Sequence, residues 1–200
     1  MSESSASSSS NAPLLDAFYN GLFHPVREYR RISERPTNAL LLEGGAFILL
    51  TSAMAPVVGA LWEGGNPRAL LWEVPLNTVI GALIWLAMGG ILSMLAYAFT
   101  GESRLRAFLI LSALSTLPWW LMGPLVLLKN GLGAVGDSVG VLAGLFIWLW
   151  SALLFCLAVG VAFRLSLERT LVVLAAPFAF AGVALCWALG FISRLSQLLF

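Results

Sequence analysis

Of the 200 residues, 11 are Lys or Arg and 10 are Asp or Glu, while 60% are hydrophobic and the mean hydropathy is +0.91. Soluble domains are about a quarter charged, so a chain that is 10% charged is not a water-soluble globule. A net charge of +1 provides no basic stripe for nucleic acid, and the polar stretches are too short for a separate ATPase, kinase or receptor domain.

Residues 1–13, MSESSASSSSNAP, are Ser-rich and poor in apolar groups, which predicts a disordered tail rather than a secretory signal peptide. Residues 14–35 mix apolar and cationic side chains: Leu14, Leu15, Phe18 and Leu22 recur at near-helical spacing. Pro25 suits the first turn of a second short helix, with Val26 and Tyr29 on one side and Arg27, Arg30, Arg31 and Arg35 on others. An amphipathic interfacial segment lying among lipid headgroups is the expectation, against the plainer reading of a basic linker.

The remainder, 36–200, reads as a membrane domain. Five windows, 39–62, 74–99, 107–128, 140–163 and 170–192, together hold one charged side chain, Glu43. Each exceeds the roughly 20 residues needed to cross a hydrocarbon core. The expected fold class is therefore all-α, a polytopic membrane protein with five transmembrane helices. Eight basic residues (Arg27, Arg30, Arg31, Arg35, Arg104, Arg106, Arg164, Arg169) fall on one side of these windows, and three (Arg68, Lys129, Arg194) on the other. Positive loops are retained in the cytoplasm, which places the N-terminus inside and the C-terminus outside. Trp62 and Trp72 bracket the first outer loop as interfacial anchors.

Glu43 lies about 9 Å into a first helix that Pro36 and the cap candidates Thr37 and Asn38 begin. There it is expected to reach the interface, to interact with the positive helix N-terminus, or to pair with Arg35 or a loop arginine; ion passage would require a second polar group. Residues 131–136, GLGAVG, spell a nucleotide-binding fingerprint that has meaning only between a strand and a helix. Here they read as a flexible turn in an outer loop of about 11 residues.

The third window, LSALSTLPWWLMGPLVLL, is the most distinctive. Pro118 withholds a donor from the carbonyl of Leu114 and predicts a kink, with Ser115 and Thr116 available to satisfy backbone groups. Trp119 and Trp120 follow directly, and Trp148 and Trp150 sit similarly deep in the fourth window. Their indole N–H groups need acceptors, for which the carbonyls near Pro118 are candidates. Dense packing around the kink is one reading; a groove for lipid or ligand is the other.

Small residues supply helix contacts: Gly89 with Ser93, Gly140 with Gly144, and a stripe of Ala175, Ala179, Gly182, Cys186 and Gly190. Cys156 and Cys186 read as apolar packers. The only histidine, His24, precedes the first window, and no metal-ligand spacing or nucleophile–base pair occurs in the windows. No catalytic residue, cofactor or metal is expected.

The layout resembles the Yip family, the Ypt/Rab-interacting membrane proteins, in its shorter bacterial form. The resemblance is carried by FHPVREYRRISERP, the LPWW…GP pattern, FIWLWSALLF and RLSLERTLVVLAAPF, over roughly residues 18–192. It implies a five-helix protein without enzymatic activity, in a bacterial inner (or thylakoid) membrane. Eukaryotic members are partners of prenylated GTPases. Their long N-terminal cytosolic region and short Gly/Tyr motifs are not found here, so a GTPase ranks behind other partners: membrane lipid, another membrane protein or a second copy. The expected function is a membrane scaffold or adaptor; a small permease or transporter subunit and an accessory subunit of a larger complex are the alternatives. The candidate interaction residues are Glu43, Pro118, Trp119, Trp120, Trp148, Trp150, Pro25, Arg27, Arg30 and Arg31.

Overall fold

Proline at the start of a helix costs nothing, because the first-turn N–H groups have no partner within the helix. Pro25 opens α1 (Pro25–Glu34) in that way. Thr37 then accepts the N–H of Leu40 on its Oγ1 (3.3 Å) and caps α2 (Asn38–Glu63). The chain continues through α3 (Leu70–Thr100), α4 (Leu105–Leu114), a 3-10 segment (Leu117–Leu121), α5 (Met122–Gly131), α6 (Ala134–Phe163) and α7 (Leu167–Leu199). In this computed structural model the described residues are 20–21, 23–63 and 68–199, with the side chains of Ala134 and 184–199 excepted. The expected tail, the apolar run Leu14 to Leu22, Cys186 and Gly190 lie outside what is described.

Among the described residues four segments are long and apolar enough to cross a membrane: Asn38–Glu63, Leu70–Thr100, Leu105–Gly131 and Val135–Phe163. The fifth expected span falls within α7, a helix whose side chains are described only as far as Val183. The third segment is the centre of the bundle: 56% of its apolar window is buried, against 11% for the first. Phe108 of α4 stacks on Phe163 of α6 at 5.3 Å and meets Phe155 edge-on at 5.9 Å.

Close approach of the helices depends on glycine at particular places. A Cβ on Gly81 of α3 would lie 2.1 Å from Oγ of Ser52 on α2, and one on Gly89 would lie 2.6 Å from Leu109 of α4. The Gly89 and Ser93 pair is buried, as its spacing suggests. Gly144 has no heavy atom within 4 Å of an added Cβ, so the Gly140 and Gly144 pair does not act as one contact. On α7, Ala175, Ala179 and Gly182 are exposed, which leaves that stripe uncovered instead of packed inside the bundle.

The outer loop expected around residues 129–139 is absent as a loop. α5 runs to Gly131 and α6 starts at Ala134, with Gly133 in a positive-φ conformation (φ 58). A Cβ at Gly136 would fall 2.0 Å from the carbonyl oxygen of Lys129. The fingerprint-like glycines therefore form a tight helix-to-helix junction. Lys129 ties this end together: it donates to the Trp62 carbonyl (3.2 Å), pairs with Asp137 (3.2 Å) and lies 4.3 Å above the Trp62 ring. Trp62 is thus partly inward, whereas Trp72 is 82% exposed, as an interfacial anchor would be.

At the opposite end, α1 is part of the core. Tyr29 and Ile32 are buried with Leu92, Phe108, Val159 and Phe163, and Ser33 donates to the carbonyl of Val161 (3.3 Å). Only one face fits the expectation of a helix lying free among headgroups: Phe23, Val26, Arg27 and Arg30 are exposed, while Tyr29 turns away from Val26 into protein. Glu28 is buried and ion-paired to Arg31. Glu102 in the link before α4 is held below the usual carboxylate range by the hydrogen bond and charge of Arg104, with a further contribution from Arg164. The α1, α3–α4 and α6–α7 junctions therefore share one end, and the eight-residue basic group of the sequence gathers there.

Candidate apolar site at the helix break

The break in the third segment is built by more than its proline. Ser115 donates its hydroxyl to the Ser112 carbonyl (2.6 Å) and Thr116 to the Ala113 carbonyl (2.8 Å). Such back-bonding competes with the helical ladder. The backbone N–H of Trp119 then bonds to the Thr116 carbonyl (3.0 Å), which tightens the chain into the 3-10 segment. The two hydroxyls thus serve carbonyls other than that of Leu114, and the expected kink is a five-residue change of helix type. Pro118 itself is fully buried.

Facing the break, α2 contains Pro56, which withholds an N–H from the carbonyl one turn back at Ser52. Between these two disturbed stretches of backbone lies a cavity of about 460 Å³. Among the described residues its lining holds three tryptophans (Trp62, Trp119, Trp120), two methionines (Met54, Met122) and the hydroxyls of Thr51, Ser52 and Thr116, with no charged group. The Trp120 indole donates to Oγ1 of Thr51 (3.0 Å), and its ring stacks on Phe47 at 5.3 Å. Trp85 similarly donates to Oγ of Ser112 (2.9 Å). Both of these indole donors end on side-chain hydroxyls; for Trp120 a carbonyl near Pro118 was expected. Such a surface offers an occupant apolar area, aromatic faces and a few hydroxyls.

The candidate residues divide into four places. Trp119 and Trp120 line the cavity, beside Pro118. Trp148 and Trp150 do not join them: Trp148 is 54% exposed on α6, and Trp150 packs at the main core edge-on to Phe146 (5.7 Å). Pro25, Arg27, Arg30 and Arg31 lie on α1 at the basic end. Glu43 is half-buried in the first turns of α2, and among the described residues it has no ion pair or hydrogen bond, so the expected arginine partner is not found. Thr51, Ser52, Met54 and Met122 were not singled out from the sequence, and Trp62 was expected only as an interfacial anchor; Pro56 within an apolar window was the available signal. Among the described residues no group of three His, Cys, Asp or Glu side chains could hold a metal ion.

An all-helical chain with four apolar segments of membrane-spanning length, centred on a broken third segment, defines a polytopic integral membrane protein. The Yip1 domain family model matches residues 20–189, and the chain belongs to that family. The match covers α1 to most of α7. No curated protein and no solved structure matches the chain.

Proposed function

We propose that this protein is a non-enzymatic integral membrane scaffold that binds another membrane protein or organises local lipid through the cavity at the helix break. The observation that carries this reading is the cavity lining itself: aromatic, sulfur and hydroxyl groups without a charge, next to the 40%-exposed Trp119. Ionisable groups inside membranes mark transport pathways, and Glu43 makes no ion pair or hydrogen bond among the described residues. The chain crosses the membrane five times, with the basic end and the N-terminus in the cytoplasm and the C-terminus outside, in a bacterial inner or thylakoid membrane. The 8-to-3 partition of basic residues supports that orientation.

Copurification in mild detergent with mass spectrometry tests the proposal. A membrane-protein or lipid species held in fixed proportion by the wild type, and lost when Thr51→Trp fills the cavity, supports it. Substrate flux in proteoliposomes that Glu43→Gln abolishes would replace it with the transporter reading.

A further inference from the structure

A second groove, of about 730 Å³, runs between α1, α6 and α7 at the basic end. Its composition changes along its length. Leu153, Cys156, Leu157 and Val161 of α6 form an apolar wall, while Arg30 of α1 and Arg164 stand at its mouth. From Leu153 to Arg164 the wall extends about 16 Å along α6, from the membrane-spanning part of the helix to its charged end. Arg27 and Arg31 continue the mouth into an adjoining depression that shares Arg30 and Glu34. Arg31 is committed to Glu28. Arg27, Arg30 and Arg164 form no ion pair among the described residues, although Arg164 lies within electrostatic reach of Glu102. Among the described residues Glu34 is the one carboxylate on the groove lining, so positive charge is in excess among them.

Arg164 has a second peculiarity. It ends α6 in the left-handed conformation (φ 53, ψ 40), the only described non-glycine residue with positive φ. The corresponding end of α3 uses Gly101 (φ 68). Glycine is the residue that takes this conformation without strain, and an arginine there trades backbone ease for a guanidinium at the groove mouth.

We propose that this groove binds an anionic diacyl phospholipid, its phosphate between Arg30 and Arg164 and one acyl chain along Leu153 and Leu157. Basic pockets between membrane helices on the cytoplasmic side are suited to such headgroups. The proposal extends the lipid arm of the function proposed above, but it uses a different surface from the cavity at the break.

The test uses the full chain, purified in non-ionic detergent, delipidated, and incubated with phosphatidylglycerol or phosphatidylcholine of identical acyl chains; native mass spectrometry reads the retained adducts. The wild type retains phosphatidylglycerol over phosphatidylcholine by about tenfold, and inorganic phosphate does not displace it. Arg164→Gly relieves the left-handed backbone, so it melts no lower than wild type while losing most of that preference. Leu157→Trp loses both lipids, and the Arg30→Lys/Arg164→Lys variant keeps a preference for the anionic one. Equal retention of the two lipids, or an Arg164→Gly variant with undiminished preference, overturns the proposal. Either failure leaves occupancy of the cavity at the break as a separate result.

Discussion

Trp120 and Thr51, 69 residues apart in the chain, are joined by a 3.0 Å hydrogen bond from the indole to the threonine hydroxyl. The same hydroxyl donates to the carbonyl of Phe47 (2.8 Å), whose ring stacks on Trp120. One threonine thus fixes the aromatic wall of the cavity to α2. Thr51→Val removes the acceptor while keeping the shape. Together with Trp120→Phe in a double-mutant cycle, the coupling should be about 1 kcal/mol, measured from unfolding free energies in detergent.

Pro118→Ala alone should leave the break in place, because the Ser115 and Thr116 back-bonds and the 3-10 bond to the Thr116 carbonyl remain. The triple variant Ser115→Ala/Thr116→Ala/Pro118→Ala should straighten the segment. Spin labels at Arg106 and Leu127 report the difference as a change in distance distribution, present in the triple variant and absent in the single one.

Gly136→Ala should destabilise by about 1–3 kcal/mol, since its Cβ would lie 2.0 Å from a backbone oxygen that has no flexible side chain to yield. Gly144→Ala, in the same helix with open space around it, should be neutral or slightly stabilising. Melting curves of the two variants in one detergent make the comparison.

Tyr29 is fully buried and its hydroxyl has no partner among the described residues; burial pushes its ionisation well above the ordinary tyrosine range. Tyr29→Phe should therefore leave the melting temperature unchanged or raised, because it removes an unsatisfied polar atom. Tyr29→Ala should cost about 3–5 kcal/mol, as large-to-small changes of core aromatics do.

Much of this architecture is legible in the chain. The apolar windows locate the membrane segments, Thr37 caps α2 as its position suggests, and Pro118 marks the break. What the windows conceal is long-range. Tyr29 reads as one side of an interfacial helix because nothing local reveals that it joins the buried core that holds Phe108 and Phe163. The four tryptophans share similar depth in sequence, yet the break turns Trp119 and Trp120 toward α2 while Trp148 and Trp150 remain on α6. Glycines at 131–136 suit a long turn or a close helix junction equally well, and the Lys129 contacts with Trp62 and Asp137 select the junction.

Orientation is open to direct labelling. With Cys156 and Cys186 replaced by serine, Ser103→Cys should react with an impermeant maleimide only from the cytoplasmic side and Ser138→Cys only from the outside. The two positions lie in the α3–α4 link and at the exposed start of α6. The reverse pattern would invert the orientation, and labelling of both from one side would contradict a membrane-spanning α4–α5 segment.

The measurement that bears most directly on the proposed function is photocrosslinking within the native membrane from position 54, on the cavity lining, compared with position 83 on an exposed face of α3. A photoreactive residue replacing Met54 should capture a discrete species, one membrane protein or one lipid class, that is absent when Leu83 is replaced and is lost on adding Trp120→Ala. Identical capture from the two positions, insensitive to Trp120→Ala, would contradict the cavity as a recognition surface.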